Sequence, residues 1–477
     1  MSEPVAQTTS GTLRGSGDGE IASFLGVPFA EPPLGELRWR APAPIEARSG
    51  VIDAVVPAPP APQPERPIGH RSHGDLPPGE EDCLRMNIWT PSERGDGGLP
   101  VFVWLHGGGF VLGSPSVSLF DGASLARALG AVVAIPGYRL GSLGWLHHPA
   151  LGAPSGNWGL LDQLAALQWL HANAAALGGD PQRIVLAGES AGALSVVHLL
   201  GMAATDGRVQ RVLAMSPPLG ESTIAPELAT RWAEELARTL TGGAFDPQAL
   251  RSRSAQEIVE AHERLIAEGP FGGTRGGALP VADRATIAHA PLEAAGIQPQ
   301  VDVLVGTNAD EATFFHRQPG RVTVVDDAGL EAIVARQPGI EDAAAAIAAR
   351  RAELPGADNT EILVRIATDA IFAGPIERWT DARRAGGGSV HSYRIEHRSP
   401  QPGLGAVHTI GVPLLFGSHH SSLPGAWVAG EEAAADAVSA ALRTATREFV
   451  HTGSPGWGTG EVGVFGGADG SLRVEKR

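Results

Sequence analysis

A candidate nucleophile, Ser190, is the middle residue of the segment 188–192, GESAG, which matches the pattern G-x-S-x-G. The short apolar run at 184–187 before it is typical of a strand, and the residues from 192 to 200 are typical of a helix. A sharp turn from strand to helix exposes a serine hydroxyl above a sheet, and the helix N-terminus offers backbone N–H groups to a developing anion. We therefore predict that Ser190 is the nucleophile of an acyl-transfer enzyme, and the alternative is a chance Gly-Ser turn.

A second segment, HGGGF at 106–110, predicts an anion-stabilising loop. Consecutive glycines let the backbone turn its N–H groups toward a ligand and let the ligand approach closely. We expect the N–H groups of Gly108 and Gly109, with that of Ala191, to stabilise the oxyanion of a tetrahedral intermediate. The alternatives are a phosphate-binding loop and a plain turn. His106 precedes the glycines and is interpreted as a structural residue.

A serine nucleophile requires a base and a carboxylate that orients the base. In a strand–turn–helix arrangement of this kind the order along the chain is serine, acid, histidine. Residues 306–311, GTNADE, follow an apolar strand at the place where active-site groups gather, so Asp310 and Glu311 are the candidate acids. Position alone does not choose among the histidines, and the candidate bases are His198, His316, His408, His419 and His420.

The elements that position these residues alternate between strands and helices, which predicts an α/β fold with a mostly parallel sheet covered on both faces. Predicted strands lie at 86–90, 101–105, 131–135, 184–187 and 301–306, and predicted helices at 157–177 and 192–200. Residues 225–265 and 325–375 have helical periodicity and are interpreted as insertions that cap the sheet. We expect a single catalytic domain over 1–477, with lid or cap segments near 57–79, 220–290 and 320–400.

Several long motifs resemble the type-B carboxylesterases, the group that includes bacterial para-nitrobenzyl esterases and animal cholinesterases. They are FLGVPFAEPP at 24–33, EDCLRMNIW at 81–89, YRLG at 138–141 and GNWGLLDQ at 156–163. The likeness runs from about residue 10 to 215 and reappears around 301–315, 404–417 and 445–455. It implies the α/β-hydrolase fold, with a large, mostly parallel central sheet, helices on both faces and helical insertions over the active site.

The resemblance also implies roles for single residues. It makes Glu311, the second acid of its pair, the triad acid, and it leaves capping or ion pairing to Asp310. It makes His408, which precedes a Phe-Gly pair at 416–417, the base. The family usually has a glutamate three residues after this histidine, where this chain has Gly411, so a supporting residue is absent. Ser216 occupies the place of a family serine that can lie near the triad acid, and the role of a turn residue fits it equally well.

Composition narrows the class of protein. The net charge of −16 argues against a nucleic-acid partner. The chain has no run of 18 apolar residues, so we predict no membrane span. Cys83 is the only cysteine, so no intrachain disulfide can form; the disulfide that the resemblance implies is missing, and the 57–79 loop is predicted to be untethered. The N-terminus lacks the features of a signal peptide. We expect a bacterial, soluble, cytoplasmic monomer or homodimer that needs no cofactor and no metal.

These observations predict a serine carboxylic-ester hydrolase with a Ser190–His408–Glu311 triad, an oxyanion hole and an acyl-enzyme intermediate, acting on small to medium neutral esters. One alternative keeps the triad and changes the substrate to an amide, carbamate, lactone or thioester. The other is a non-catalytic binding relative, since the resembled family includes adhesion proteins that have lost the serine.

Overall fold

The computed structural model describes residues 3–64, 77–93, 98–268, 277–318, 321–322, 325–420, 427–466 and 470–477. Its strands are β1 (Val5–Thr8), β2 (Gly11–Arg14), β3 (Ser16–Gly17), β4 (Ile21–Pro28), β5 (Val51–Asp53), β6 (Arg85–Pro91), β7 (Leu99–Leu105), β8 (Val132–Pro136), β9 (Gly179–Glu189), β10 (Arg211–Met215), β11 (Asp302–Asn308), β12 (Arg317–Gln318), β13 (Arg321–Val322), β14 (Val390–Ile395), β15 (Glu461–Phe465) and β16 (Leu472–Lys476). Its α-helices are α1 (Gly122–Leu129), α2 (Gly141–Trp145), α3 (Trp158–Asn173), α4 (Ala191–Leu200), α5 (Pro226–Thr241), α6 (Pro247–Arg251), α7 (Ala255–Glu268), α8 (Thr313–His316), α9 (Asp327–Val334), α10 (Ala343–Glu353), α11 (Asn359–Thr368), α12 (Gly374–Ala385), α13 (Gly411–Phe416) and α14 (Glu432–Thr452).

The central sheet has eleven strands in the described part of the chain, in the order β16-β15-β14-β11-β10-β9-β7-β8-β6-β4-β3. The strands from β15 to β8 pair in parallel, and the pairings at both edges are antiparallel. The predicted mostly parallel sheet is therefore confirmed. Because β7, β9, β10 and β11 are neighbours, the loops that follow them meet along one edge of the sheet.

Helices cover both faces of this sheet, and this explains why the sequence of β7 is apolar throughout. Its residues Val101, Val103 and Leu105 pack with α3, α4 and α12, whereas Phe102 and Trp104 pack with α1, α13 and α14 on the opposite face. A strand alternates its side chains between faces, so a strand covered on both sides needs apolar residues at every position.

The two predicted insertions are helical and contribute no strand to the central sheet within the described residues. Helices α5, α6 and α7 share a hydrophobic cluster around Trp232 with Trp39, Leu143 of α2 and Trp158 of α3, and α9, α10 and α11 pack around Ile362 in another. Parts of the predicted cap segments, residues 269–276, 319–320 and 323–324, lie outside the described residues. Their role as a lid or cap stays a prediction. None of the described helices is both long enough and apolar enough to cross a bilayer.

The loop that follows β5 is tied to the body of the protein by hydrogen bonds where the resemblance implies a disulfide. Cys83 is free and buried. The side-chain amide of Gln63 donates to the carbonyl oxygen of Gly113 (2.8 Å) and accepts from its N–H (2.9 Å). The missing disulfide therefore does not leave residues 57–64 untethered, which corrects the expectation for this part of the loop. Residues 65–76 lie outside the described residues.

Candidate active site

Ser190 occupies the predicted turn between a strand and a helix. Strand β9 ends at Glu189 and α4 begins at Ala191, and the serine between them has φ 56° and ψ −123°. A positive φ in a residue other than glycine marks a strained backbone that the surrounding structure must hold. The turn packs so tightly on β7 that a Cβ at Gly192 would lie 2.0 Å from the carbonyl oxygen of Leu105. Glycine is therefore required at this position of the motif.

His408 and Glu311 form a buried pair. The Nδ1 atom of His408 lies 2.6 Å from Oε2 of Glu311. The other carboxylate oxygen, Oε1, accepts a 2.7 Å hydrogen bond from the backbone N–H of Asn308, whose side-chain amide also donates to Oε2 at 3.4 Å. Asn308 therefore orients the carboxylate that orients the histidine. Asn308 was not predicted as a site residue, and its place within the segment GTNADE was the available signal.

The neighbouring acid, Asp310, has a different set of contacts. Its carboxylate forms ion pairs with Arg365 (3.0 Å) and Arg398 (3.1 Å), and it accepts the backbone N–H of Ala406 at 2.9 Å. These contacts fasten the end of β11 to the loop that leads to His408. Of the two candidate acids, Glu311 contacts the histidine and Asp310 holds the loop.

The alternative histidines have other surroundings. The Nε2 atom of His198 lies 2.9 Å from a backbone carbonyl oxygen, and burial lowers the pKa of this histidine to about 4. His419 and His420 both place Nε2 beside Oδ1 of Asp436, at 2.8 and 2.7 Å. His316 is the last residue of α8. The contact between His408 and Glu311 favours His408 as the base.

A second carboxylate faces the opposite side of the His408 ring. Oε1 of Glu189 lies 3.2 Å from Nε2 of His408 and accepts a 2.9 Å hydrogen bond from the hydroxyl of Thr409. Burial raises the pKa of Glu189, and the nearby His408 and the Thr409 hydroxyl act in the opposite direction. Neither Glu189 nor Thr409 was predicted as a site residue. Glu189 lies inside the serine motif, whereas no sequence pattern singles out Thr409.

The glycine loop lies against the serine. A Cβ at Gly107 would come 3.3 Å from Cβ of Ser190, and the next two glycines have positive φ, 112° at Gly108 and 63° at Gly109. Among the described residues, the backbone N–H groups of Gly108, Gly109 and Ala191 donate to no protein acceptor. Three N–H donors beside a serine are the arrangement that the predicted oxyanion hole requires.

His106 anchors the base of this loop. Its Nδ1 lies 2.9 Å from the carbonyl oxygen of Gly107, and its ring stacks on Tyr138 with 4.3 Å between the ring centres. The Tyr138 hydroxyl donates to the carbonyl oxygen of His106 at 2.7 Å. Burial lowers the pKa of His106 to about 4, so the ring is neutral at pH 7. These contacts agree with the structural role predicted for His106.

Three phenylalanine rings surround His408. The ring centres of Phe314, Phe315 and Phe372 lie 5.8, 5.6 and 5.1 Å from that of the imidazole. Phe372 comes from the predicted cap segment 320–400 and is fully buried. These apolar rings keep water away from the histidine, so the hydrogen bonds within the site act in a low dielectric.

The space beside Gly411 is filled by apolar side chains. A Cβ at this position would come 2.5 Å from Cδ1 of Ile395 and 2.9 Å from Cε of Met215, so no glutamate fits there without movement of its neighbours. Ser216, the other residue named from the resemblance, has φ 52° and donates its backbone N–H to the carbonyl oxygen of Gly306 at 2.8 Å. This bond joins the ends of β10 and β11, and a role toward the acid stays a prediction.

Comparisons with known proteins show the family of the chain. A sequence model described as the carboxylesterase family matches residues 2–462. The phenmedipham hydrolase of Pseudarthrobacter oxydans is 35% identical over 462 residues, which are 95% of this chain and 91% of that protein. The para-nitrobenzyl esterase of Bacillus subtilis (strain 168) is 31% identical over 424 residues, 88% of this chain and 84% of that protein. The solved structure of a Geobacillus stearothermophilus carboxylesterase superposes with a TM-score of 0.85 at 30% identity, covering 99% of this chain and 97% of that one.

Proposed function

The chain belongs to the carboxylesterase family, and from that premise we propose that it hydrolyses small to medium neutral carboxylic esters through Ser190, His408 and Glu311. The observation that carries the proposal is the buried contact of 2.6 Å between His408 Nδ1 and Glu311 Oε2, in a chain whose candidate nucleophile stands on a strained turn. A carboxylate at Nδ1 fixes the proton on that nitrogen, so Nε2 carries the lone pair that accepts the proton of a serine.

In the first half of the reaction His408 takes the proton of the Ser190 hydroxyl while Oγ attacks the ester carbonyl carbon. The carbonyl π bond breaks, and its electron pair becomes the oxyanion of a tetrahedral intermediate. The intermediate then collapses, the C–O bond to the alcohol breaks, and His408 gives its proton to the leaving alcohol. Water repeats these steps on the acyl-enzyme and releases the carboxylic acid and free Ser190.

The oxyanion is the charge that the site must stabilise most. We assign this task to the backbone N–H groups of Gly108, Gly109 and Ala191, because they donate to no acceptor among the described residues. Ala191 follows the serine directly, and the two glycines follow Gly107, at which a Cβ would lie 3.3 Å from Cβ of Ser190. Removal of one such donor typically costs about 10²–10³-fold in rate. Neither a metal nor a cofactor takes part in this mechanism.

The test compares hydrolysis of para-nitrophenyl acetate, butyrate and octanoate by the wild type and by Ser190→Ala. The proposal requires wild-type turnover that the variant loses while its thermal unfolding midpoint stays unchanged. The dependence of rate on acyl chain length then measures the acyl pocket. Absence of turnover on all three esters by the folded wild type would contradict the ester substrate class.

One relative, named a phenmedipham hydrolase, favours a second substrate for the same triad. Phenmedipham and a matched pair of an ester and its amide therefore belong in the same assay. Faster Ser190-dependent turnover of phenmedipham or of the amide would replace the ester by that substrate class and leave the mechanism in place.

We also infer a cytoplasmic location, supported by a single cysteine that is buried and free, as a reducing compartment allows. Cell fractionation with an antibody against the protein tests this location. Light scattering of the purified protein distinguishes the monomer from the homodimer.

A further inference from the structure

Thr409, the residue after the histidine, has an unusual backbone. Its φ is 74°, in the left-handed region that glycine occupies easily and that a β-branched residue rarely adopts. The carbonyl oxygen of Thr409 accepts the N–H of Val412 at 2.9 Å in the turn that opens α13. Glycine would make this turn with less strain, so the fold alone does not explain a threonine here. Strained residues of this kind persist where the surroundings over-determine them, and they cluster at functional sites.

The side chain of Thr409 has one hydrogen-bond partner of chemical interest. Its hydroxyl donates to Oε1 of Glu189 at 2.9 Å, and this same oxygen lies 3.2 Å from Nε2 of His408. On the other side of the ring, Glu311 lies 2.6 Å from Nδ1. The imidazole is thus held between two buried carboxylates, and Thr409 fixes the position of the one beside the reacting nitrogen.

The contact between Glu189 and Nε2 changes character during the reaction. When His408 is neutral with its proton on Nδ1, the Nε2 lone pair faces a carboxylate oxygen, which gives little attraction. When Nε2 has taken the serine proton, a positive imidazolium faces that same oxygen. An interaction that is stronger in the charged state than in the ground state lowers the barrier. This gain depends on the position of Oε1, because a charge-assisted hydrogen bond is short and directional.

We propose that Thr409 is a positioning residue, whose hydroxyl holds the Glu189 carboxylate against Nε2 of His408 so that it stabilises the imidazolium. The proposal deepens the proposed function and rests on it. The donated hydrogen bond also favours the ionised form of Glu189, whose pKa is raised by burial. The other titratable groups that act on or feel Glu189 are His408, Glu311, Tyr138 and Tyr393.

Three substitutions at Thr409 separate this role from a structural one. Valine keeps the β-branched shape of the side chain, and with it the backbone strain, but lacks the hydroxyl. Serine keeps the hydroxyl. Glycine lacks the hydroxyl and relieves the backbone strain, so it makes the strongest comparison. We expect Thr409→Gly to unfold at the same or a higher temperature than the wild type and yet to be as impaired in turnover as Thr409→Val.

The expected loss in Thr409→Val and Thr409→Gly is about tenfold in kcat with little change in KM, the size of a lost hydrogen bond to a charged group. The acid limb of the pH–rate profile should move about one pH unit lower, because the imidazolium has lost support. Thr409→Ser should retain the wild-type kcat and profile. A merely structural threonine predicts the reverse: glycine would match or exceed the wild-type rate, and no variant would move the acid limb. That result would overturn the proposal.

A second readout does not depend on turnover. NMR of protein with isotopically labelled histidine follows the protonation of His408, and Thr409→Val should move its midpoint to lower pH while Thr409→Ser leaves it in place. A shifted midpoint in a protein without Ser190-dependent hydrolysis would contradict the proposed function and support the role of Thr409. Ser190-dependent hydrolysis together with an unshifted His408 midpoint in Thr409→Val would support the proposed function and contradict the role of Thr409.

Discussion

Glu311→Gln replaces one carboxylate oxygen by an amide group without changing the size of the side chain. The two shortest hydrogen bonds of the native Glu311 come from His408 Nδ1 (2.6 Å) and from the N–H of Asn308 (2.7 Å). Glutamine offers only one oxygen for these two buried donors. If its oxygen faces Asn308, its NH₂ group faces Nδ1 and forces the imidazole proton onto Nε2. If its oxygen faces Nδ1, two N–H donors meet at the backbone of Asn308.

The first arrangement gives up only the 3.4 Å contact of the Asn308 side-chain amide, so we expect it to be the one adopted. An imidazole with its proton on Nε2 cannot accept the Ser190 proton. In a serine hydrolase triad the corresponding change of acid to amide lowers kcat about 10⁴-fold. This factor corresponds to about 5.4 kcal/mol of transition-state stabilisation. We therefore expect Glu311→Gln to lose about 10⁴-fold in kcat on para-nitrophenyl acetate.

Asp310→Asn is the matched control, because it makes the same chemical change one residue earlier. Asp310 pairs with partly exposed arginines, so its neutralisation should cost about 1 kcal/mol of stability. Because the asparagine oxygen can still accept the N–H of Ala406, the kcat of Asp310→Asn should stay within about threefold of the wild-type value. This change is small beside the loss of about 10⁴-fold expected for Glu311→Gln. Kinetics of both variants, with thermal unfolding as the check on folding, decide the matter. Equal losses in the two variants, or a Glu311→Gln kcat within tenfold of the wild type, would refute the reasoning.

Two further predictions concern the oxyanion loop and acid stability. A Cβ at Gly108 would lie 2.2 Å from the backbone oxygen of Leu112, so Gly108→Ala must shift the loop. The variant should lower kcat by about 10²–10³-fold, with KM less affected. Steady-state kinetics with a wild-type kcat would exclude the N–H of Gly108 as a donor to the oxyanion. Burial lowers the pKa of His262 to about 4, below its ordinary value near 6.5, so the folded state resists protonation and stability is lost as pH falls from 6.5 to 4. Between pH 6.5 and 4 the free energy of unfolding, measured with urea, should therefore fall by up to about 3 kcal/mol less in His262→Gln than in the wild type. Parallel pH dependences of the two proteins would contradict the role assigned to His262.

The sequence predicted the parts of the site that depend on local pattern. The turn around Ser190 follows from glycine spacing between a strand and a helix, and the glycine loop follows from its three consecutive glycines. The pairing of Glu311 with His408 rested on a family resemblance, because 97 residues separate the two in the chain. No pattern in the neighbouring residues distinguishes His408, whose loop is held by Asp310, from the other candidate histidines.

The contacts that the sequence did not predict are tertiary. The Thr409 hydroxyl contacts Glu189, 220 positions away in the chain, and Phe372 contacts His408 from a segment that was predicted to be a cap. Such contacts depend on how loops from separate strands meet at one edge of the sheet. The tie between Gln63 and Gly113 likewise follows from the packing of two loops, which no residue pattern encodes.

Covalent trapping of the nucleophile tests the assignment of Ser190 without relying on turnover. Diethyl para-nitrophenyl phosphate reacts with an activated serine, releases para-nitrophenol and leaves a stable phosphoryl ester. We expect one modified residue per active chain, Ser190, identified by mass spectrometry of peptides, with activity lost in proportion and no labelling of Ser190→Ala. Modification of another residue, such as Ser216, or ester turnover that continues after Ser190 is fully modified, would contradict this assignment.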